Sequence, residues 1–191
     1  MIKRTPFFLI FLLPFLFLAC GEDTEKTVEN TFVRLNSTQT GISFENTNTE
    51  TYEVNYMTYE NIFNGGGVAV GDINNDGLDD IYFTGNMVSD KLYLNEGDMQ
   101  FKDVTSTALN SDLAKEGWHT GVSMVDINHD GWLDIYVCRS GWYTDPNQRA
   151  NLLFINNGDL TFTESAKTYG CLLYTSPSPR DLSTSRMPSS A

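Results

Sequence analysis

Gly71-Asp72-Ile73-Asn74-Asn75-Asp76-Gly77-Leu78-Asp79-Asp80-Ile81-Tyr82 decides the reading of this chain, because it returns 54 residues later as Val125-Asp126-Ile127-Asn128-His129-Asp130-Gly131-Trp132-Leu133-Asp134-Ile135-Tyr136. A second pair of segments repeats as well. Leu92-Tyr93-Leu94-Asn95-Glu96-Gly97-Asp98-Met99-Gln100-Phe101 matches Leu153-Phe154-Ile155-Asn156-Asn157-Gly158-Asp159-Leu160-Thr161-Phe162, at an offset of 61. The second copy therefore carries about seven more residues than the first, around Ser140 to Asn147. Self-similarity at such a period marks a stacked-repeat architecture.

Within each Asp-x-Asn-x-Asp-Gly loop, positions 1, 3, 5, 7 and 9 carry oxygen. They are Asp72, Asn74, Asp76, Leu78 (through its carbonyl) and Asp80 in the first loop. In the second they are Asp126, Asn128, Asp130, Trp132 (again the carbonyl) and Asp134. Alternate residues converge when the chain curls tightly, and Gly77 and Gly131 fall at position 6, where the turn favours a residue without Cβ. An all-oxygen set in a flexible loop favours Ca²⁺. Mg²⁺ demands tighter octahedral geometry, and zinc would call for His or Cys. His129 sits at a non-ligand position and is expected to face outward. Carboxylates this close repel one another unless a cation lies between them, so the expected cofactor is Ca²⁺. Affinities of extracellular calcium modules are about 10⁻⁴ to 10⁻³ M, which would keep such sites filled outside the cell. An EF-hand is excluded: position 12 is Phe83 or Val137 instead of Glu, and the flanks show strand rather than helix patterning.

Around the loops the expected strands are short. In the first copy they are Val68–Val70, Ile81–Phe83, Lys91–Leu94 and Gln100–Val104. In the second they fall near Gly121–Val125, Ile135–Cys138, Leu152–Ile155 and Thr161–Glu164. Gly/Asn/Asp turns between them point to an all-β fold, and four strands in roughly 50 to 60 residues make one propeller blade. The fold expected is a partial β-propeller of four-stranded blades with calcium-binding hairpin loops. Gly65-Gly66-Gly67 reads as a close-packed blade turn; it lacks the Gly-Lys-Ser/Thr ending of a phosphate loop and leads into a strand.

The ends read differently. Lys3 and Arg4 precede an apolar run from Phe7 to Leu18, shorter than the roughly 20 residues a spanning helix needs, so residues 1–19 read as a signal peptide. Ala19-Cys20 resembles a lipobox, which would place a diacylglycerol on Cys20. Phe17 and Leu18 depart from that pattern, and an ordinary signal peptide with a chance cysteine is the alternative. Residues 20–39, rich in Glu, Thr, Asn and Ser, read as a flexible tether. Residues 40–108 then hold an N-terminal strand and the first blade, and 109–170 the second. Cys171 to Asp181 back-translates, codon by codon, into a transposase-type sequencing adapter, and Ser185 to Ala191 into its far end. Residues 171–191 are therefore expected to be adapter-derived, with the natural chain interrupted near Gly170. A third metal loop would otherwise be due near position 180.

Composition narrows the function. The chain holds 25 acidic and 12 basic residues, for a net charge of −13. Residues 20–170 hold 24 acidic and 8 basic side chains, a net of 24 − 8 = 16 negative charges, which argues against nucleic acid as a partner. Cys138, alone in an apolar run, is expected to pack as a small hydrophobe. His119 and His129 lack a motif with serine or cysteine, so no nucleophilic triad is expected. Trp142 and Tyr143 lie in the insertion special to the second copy. They are candidates for ligand contact by stacking, or alternatively pack over the blade edge. Arg139 and Arg149 flank that insertion and are expected to pair with nearby carboxylates.

At Phe63-Asn64-Gly65-Gly66-Gly67-Val68-Ala69-Val70-Gly71-Asp72 and the metal loop that follows, the chain resembles the FG-GAP/VCBS repeats of integrin-α-like β-propellers. The Leu-Tyr-Leu-Asn-x-Gly and Phe-x-Asp/Glu segments carry the resemblance on, over about residues 40–170. The chain is also similar to large bacterial VCBS-repeat lipoproteins that often end in an ASPIC/UnbV domain, relatives of cartilage acidic protein. The resemblance implies a propeller of about seven blades at the outer membrane or cell surface, lipid-anchored or otherwise secreted. It implies adhesion to, or binding of, an extracellular protein or glycan, with no catalysis. The rivals are a scaffold for a carbohydrate-active or other extracellular enzyme, or a structural surface-layer component.

Overall fold

β1 (Val68–Gly71), β2 (Asp80–Phe83), β3 (Lys91–Asn95) and β4 (Phe101–Asp103) form one antiparallel sheet in sequence order. β5 (Trp118–Val125), β6 (Asp134–Ser140), β7 (Leu152–Asn156) and β8 (Phe162–Glu164) form a second with the same order. This is a computed structural model, and it describes residues 32–109 and 112–171. The registers of the two sheets correspond under the two sequence offsets: Gly71↔Asp80 becomes Val125↔Asp134, Ile81↔Tyr93 becomes Ile135↔Phe154, and Asn95↔Phe101 becomes Asn156↔Phe162. The repeat read in the sequence is thus a repeat of hydrogen-bonded pairing. Both Asp-x-Asn-x-Asp-Gly loops are the connections of their sheet's first hairpin.

The strands form from short apolar runs, rich in Ile, Val, Leu and aromatic residues, that bury side chains against one another. Tyr82 and Leu92 from the first sheet join Ile135, Val137, Leu152 and Phe154 from the second in one core cluster, with Ile73 of the first loop among them. A four-stranded sheet with one solvated face needs a partner surface, and here each sheet serves the other. The glycine run lets the backbones meet. A Cβ on Gly66 would lie 2.2 Å from the Thr84 carbonyl oxygen, and one on Gly67 would lie 2.7 Å from that of Thr120 in β5. The close packing expected there is present at Gly66 and Gly67, while a Cβ on Gly65 would meet nothing within 4 Å.

Several local expectations shift. β5 starts at Trp118, three residues before Gly121, and a register irregularity between His119 and Val122 accommodates the His-Thr-Gly interruption of its apolar pattern. No strand forms among residues 41–67. Residues 41–48 alternate between exposed and half-buried as a strand would. Their polar groups, however, bond side chains instead of a neighbouring strand: Ser43 N donates to Tyr93 Oη (3.3 Å), and Asn46 exchanges bonds with Asn86. Ahead of them α1 (Ser37–Thr40) is a single turn closed by an Asn36–Gln39 capping box. After β4, a second turn, α2 (Thr105–Ala108), covers the core edge with Ala108. The insertion of the second copy lengthens β6 to Ser140 and adds a loop with a 3₁₀ turn at Pro146–Gln148.

Residues 1–34 and 35–191 form separate units. Of the first, only residues 32–34 are described, and all three are exposed. The signal-peptide, lipobox and adapter readings fall outside the described residues, apart from Cys171. Among the described residues no helix is long and apolar enough to cross a membrane.

Candidate metal centre

The two loops fold alike, bond for bond. In the first, Asp76 N donates to both Asp72 Oδ1 (3.1 Å) and Asn74 Oδ1 (3.2 Å), Gly77 N to Asp72 Oδ2 (2.8 Å), and Leu78 N to Asp76 Oδ1 (2.8 Å). In the second, Asp130 N donates to Asp126 Oδ1 (3.1 Å) and Asn128 Oδ1 (3.0 Å), Gly131 N to Asp126 Oδ2 (3.0 Å), and Trp132 N to Asp130 Oδ1 (2.9 Å). The asparagine amide donates to the position-5 carboxylate in each, Asn74 to Asp76 (2.8 Å) and Asn128 to Asp130 (2.7 Å). The side-chain oxygens of positions 1 and 3 therefore converge on one amide nitrogen, with position 5 bonded to position 3.

Backbone strain explains two residue types. Gly77 and Gly131 have φ of +86° and +91°, and a Cβ there would meet no atom within 4 Å. Glycine is required by the left-handed backbone and not by crowding. Position 4 is also left-handed, at Asn75 (φ 58°) and His129 (φ 61°), two of the residue types that tolerate it best. His129 is exposed, as its place in the loop implies.

Asp80 and Asp134 behave differently from the other three carboxyl and amide groups. Both are wholly buried. Asp80 accepts from Ile73 N (3.0 Å) and Asn95 N (2.8 Å), and Asp134 from Ile127 N (3.0 Å) and Asn156 N (2.8 Å). Each carboxylate ties its loop's start to the third strand of its sheet. Burial raises the Asp80 pKa above the ordinary carboxylate value. The two backbone donors oppose that, and the negative charges of Asp76 and Asp72 add to it. The expected ligand set is thus brought together at positions 1, 3 and 5. Position 9 lies within electrostatic reach of them, with its oxygens turned to backbone amides.

Among the described residues no three Asp, Glu, His or Cys side chains are gathered closely enough to hold a metal by themselves. The loops' oxygen set also draws on an asparagine amide and a main-chain carbonyl, and among the described residues neither Leu78 nor Trp132 has its carbonyl oxygen engaged in a hydrogen bond. This all-oxygen donor chemistry fits a hard cation such as Ca²⁺.

The loops also touch each other, which the sequence did not reveal. Asn75 Nδ2 donates to the Gly131 carbonyl (3.1 Å). Asn156 Nδ2 donates to Ile73 O in the first loop (2.8 Å) and to Leu133 O in the second (3.1 Å). Deeper in the fold, Asp90 accepts from Tyr82 Oη (2.6 Å), Gly85 N (2.7 Å) and His119 Nδ1 (2.7 Å), and His119 Nε2 lies 2.7 Å from the Glu116 carbonyl oxygen. All three side chains are buried, and this network joins β2 to β5 across the sheets. Burial, then the Asp90 charge, raise the Tyr82 pKa far above its ordinary value. His119 thus has a bridging role that no motif announced.

The insertion residues form an aromatic cluster. Trp142 stacks with Tyr143 (5.0 Å between centroids) and meets Trp118 (5.3 Å) and Tyr59 (5.2 Å). Both insertion aromatics are half-buried. Among the described residues Arg139 makes no ion pair with a carboxylate, unlike the expectation. Its guanidinium donates to the carbonyls of Ala150 (2.5 Å) and Asn147 at the end of the insertion and to that of Glu116 (3.1 Å) ahead of β5. Cys138 is a free, half-buried thiol whose pKa is raised by burial.

A family model described as FG-GAP-like repeat matches residues 72–137, from the first oxygen of the first loop through the second loop and into β6. Over these residues the chain is similar to an FG-GAP-like repeat, and the paired four-stranded antiparallel sheets are consistent with that all-β repeat. No curated protein matches the chain.

Proposed function

We propose that the chain is a calcium-stabilised, β-propeller-type repeat protein that binds an extracellular protein or glycan at the cell surface, held there by a lipid on Cys20, and catalyses nothing. The observation that carries this reading is the duplicated loop. The same oxygen set, with the same internal hydrogen bonds, occurs at both first hairpins, and the two loops are bonded to each other through Asn75 and Asn156. When bound, Ca²⁺ would supply the charge that lets Asp72 and Asp76, or Asp126 and Asp130, sit together. The chain's own residues hold those oxygens in place: Asp80 and Asp134 from beneath, the position-6 glycines by the tightness of the turn. The FG-GAP-like match supports a ligand-binding or adhesion role, since such repeats expose loops on a rigid scaffold.

The test is an array of glycans and extracellular proteins probed with the full chain, in calcium and in chelator. Calcium-dependent capture of a defined partner is expected. Turnover of an arrayed glycan that disappears on replacing a single acidic residue would make the chain an enzyme and overturn the reading.

A further inference from the structure

A cleft of about 570 Å³ opens beside the second sheet, between the turn at Tyr59–Asn64, the start of β5 and the end of β6. Its lining is at odds with the rest of the chain. In a protein of net charge −13, no Asp or Glu among the described residues lines it, while two arginines, Arg139 and Arg149, do. Among the described residues no Val, Leu, Ile, Met or Phe lines it either; the wall includes Tyr59 and Trp118 with the amides of Asn61, Asn64 and Asn151.

In that wall one buried cation is without an ion pair and one buried donor is without an acceptor among the described residues. The Arg139 side chain is 9% exposed, and the acceptors it meets are neutral carbonyls. No ion pair among the described residues reaches it, and the carboxylates of Glu116, Glu164 and Asp90 act on it only at longer range. Burial accordingly lowers its pKa from the ordinary value, with those charges opposing. A guanidinium has five N–H groups, so donors remain, and a buried cation without a counterion is a costly arrangement. Independently, the indole N–H of the fully buried Trp118 has no acceptor among the described residues. Buried donors are paired in the great majority of cases, so an orphan in a cleft wall points to a missing acceptor.

We propose that this cleft binds a uronate, the carboxylate-bearing sugar of an acidic glycan. The carboxylate lies against Arg139, whose planar fork suits it, and the ring hydroxyls meet the asparagine amides. The half-buried ring of Tyr59 gives the sugar a face to rest on. Absence of aliphatic lining disfavours a lipid or an apolar peptide, and the volume falls within the range of about 300 to 1,000 Å³ usual for small-ligand sites. This deepens the ligand-binding part of the proposed function and is independent of the calcium loops.

The experiment titrates the full chain, in calcium, with D-glucuronate, D-glucose and N-acetylglutamate by calorimetry. Saturable glucuronate binding is expected, about tenfold or more tighter than glucose, because one charge-assisted contact distinguishes them. Arg139→Lys should weaken glucuronate about tenfold and leave glucose unchanged. Asn64→Ala, in an exposed turn, should weaken both sugars without moving the melting temperature. Three results would overturn the proposal: no saturation by glucuronate, equal binding of glucose, or N-acetylglutamate binding more tightly than the sugar acid. The partner array reads separately, so a captured protein with no uronate binding would sink this site and leave the wider reading standing.

Discussion

Replacing Asn156 by alanine should cost this fold far more than the same change at Asn95, although the two occupy equivalent places in their sheets. Asn156 is 3% exposed and makes three bonds with its side chain: to Ile73 O, to Leu133 O, and from Gly158 N (2.9 Å) to its own Oδ1. The first crosses between sheets. Asn95 makes two, to Asp79 O (2.9 Å) and from Gly97 N (2.9 Å), both within its own copy of the repeat, and it is half-buried. A net hydrogen bond contributes about 0.5 to 1.5 kcal/mol, and a buried group left unpaired costs about 1 to 3 kcal/mol. Three bonds at a buried site give about 3 to 4 kcal/mol for Asn156→Ala. Two wetter bonds, whose partners water can satisfy, give about 1 kcal/mol for Asn95→Ala. For a domain of this size about 1 kcal/mol corresponds to roughly 2 to 4 °C, so losses of about 10 °C and about 3 °C are expected. Differential scanning calorimetry of the two variants in saturating calcium measures both. Equal losses would refute the argument that Asn156 ties the two loops together.

Further predictions follow from the glycines and from two carboxylates. Gly67→Ala puts a Cβ 2.7 Å from a backbone oxygen of β5, so the sheets must part, whereas Gly77→Ala meets open space and bears only left-handed strain of about 1 to 2 kcal/mol. Urea unfolding should show the first variant losing several times more stability than the second. Asp103 is half-exposed. Burial pushes its pKa up, but its bonds to Lys91 Nζ (2.7 Å) and Thr105 outweigh that, and the net shift is downward. Its contribution is present above the ordinary value of 3.8, is lost as pH falls through the lower folded value, and stays below about 1 kcal/mol because water screens the pair. Asp80 has the opposite sign. Its raised folded pKa means that, in chelator, wild type should gain on Asp80→Asn as pH falls toward 3.8, while Asp103→Asn should close on wild type below that value. Thermal melts across pH check both directions.

Much of this architecture was legible because it is local. Asp-x-Asn-x-Asp-Gly writes its own Asx bonds and its own turn, so the loop geometry follows from six consecutive residues, and the short apolar runs Ile81–Phe83 and Leu152–Ile155, bounded by Gly/Asn/Asp turns, give the strands beside it. Features that depend on distant residues were not legible. Asn75 looks like an interchangeable loop residue until its amide is found on Gly131 of the other loop. Asp90 and His119 are 29 residues apart, and nothing in either neighbourhood announces the buried bond between them. The segment around Ile42–Asn48 has a strand's alternation, but whether it forms a strand depends on a partner edge, and side chains of Asn86 and Tyr93 take that place. Arg139 was expected to seek a carboxylate because charge is what a sequence displays. The carbonyls that surround it come from the backbone at Asn147 and Ala150, at the end of the insertion, and at Glu116 ahead of β5, and residue identities do not encode them. Asp80 and Asp134 were read as the position-9 oxygens of each loop, and their bonds to Asn95 N and Asn156 N show a bracing role that spacing alone does not give.

The most direct measurement is calcium titration of the full chain followed by its melting temperature, with Asp76→Ala, Asp130→Ala and the double variant beside it. Two bound ions per chain and a rise in melting temperature with calcium are expected, with each single variant losing one ion and part of the rise, and the double variant losing both. A melting temperature that stays flat from chelator to millimolar calcium would contradict the account.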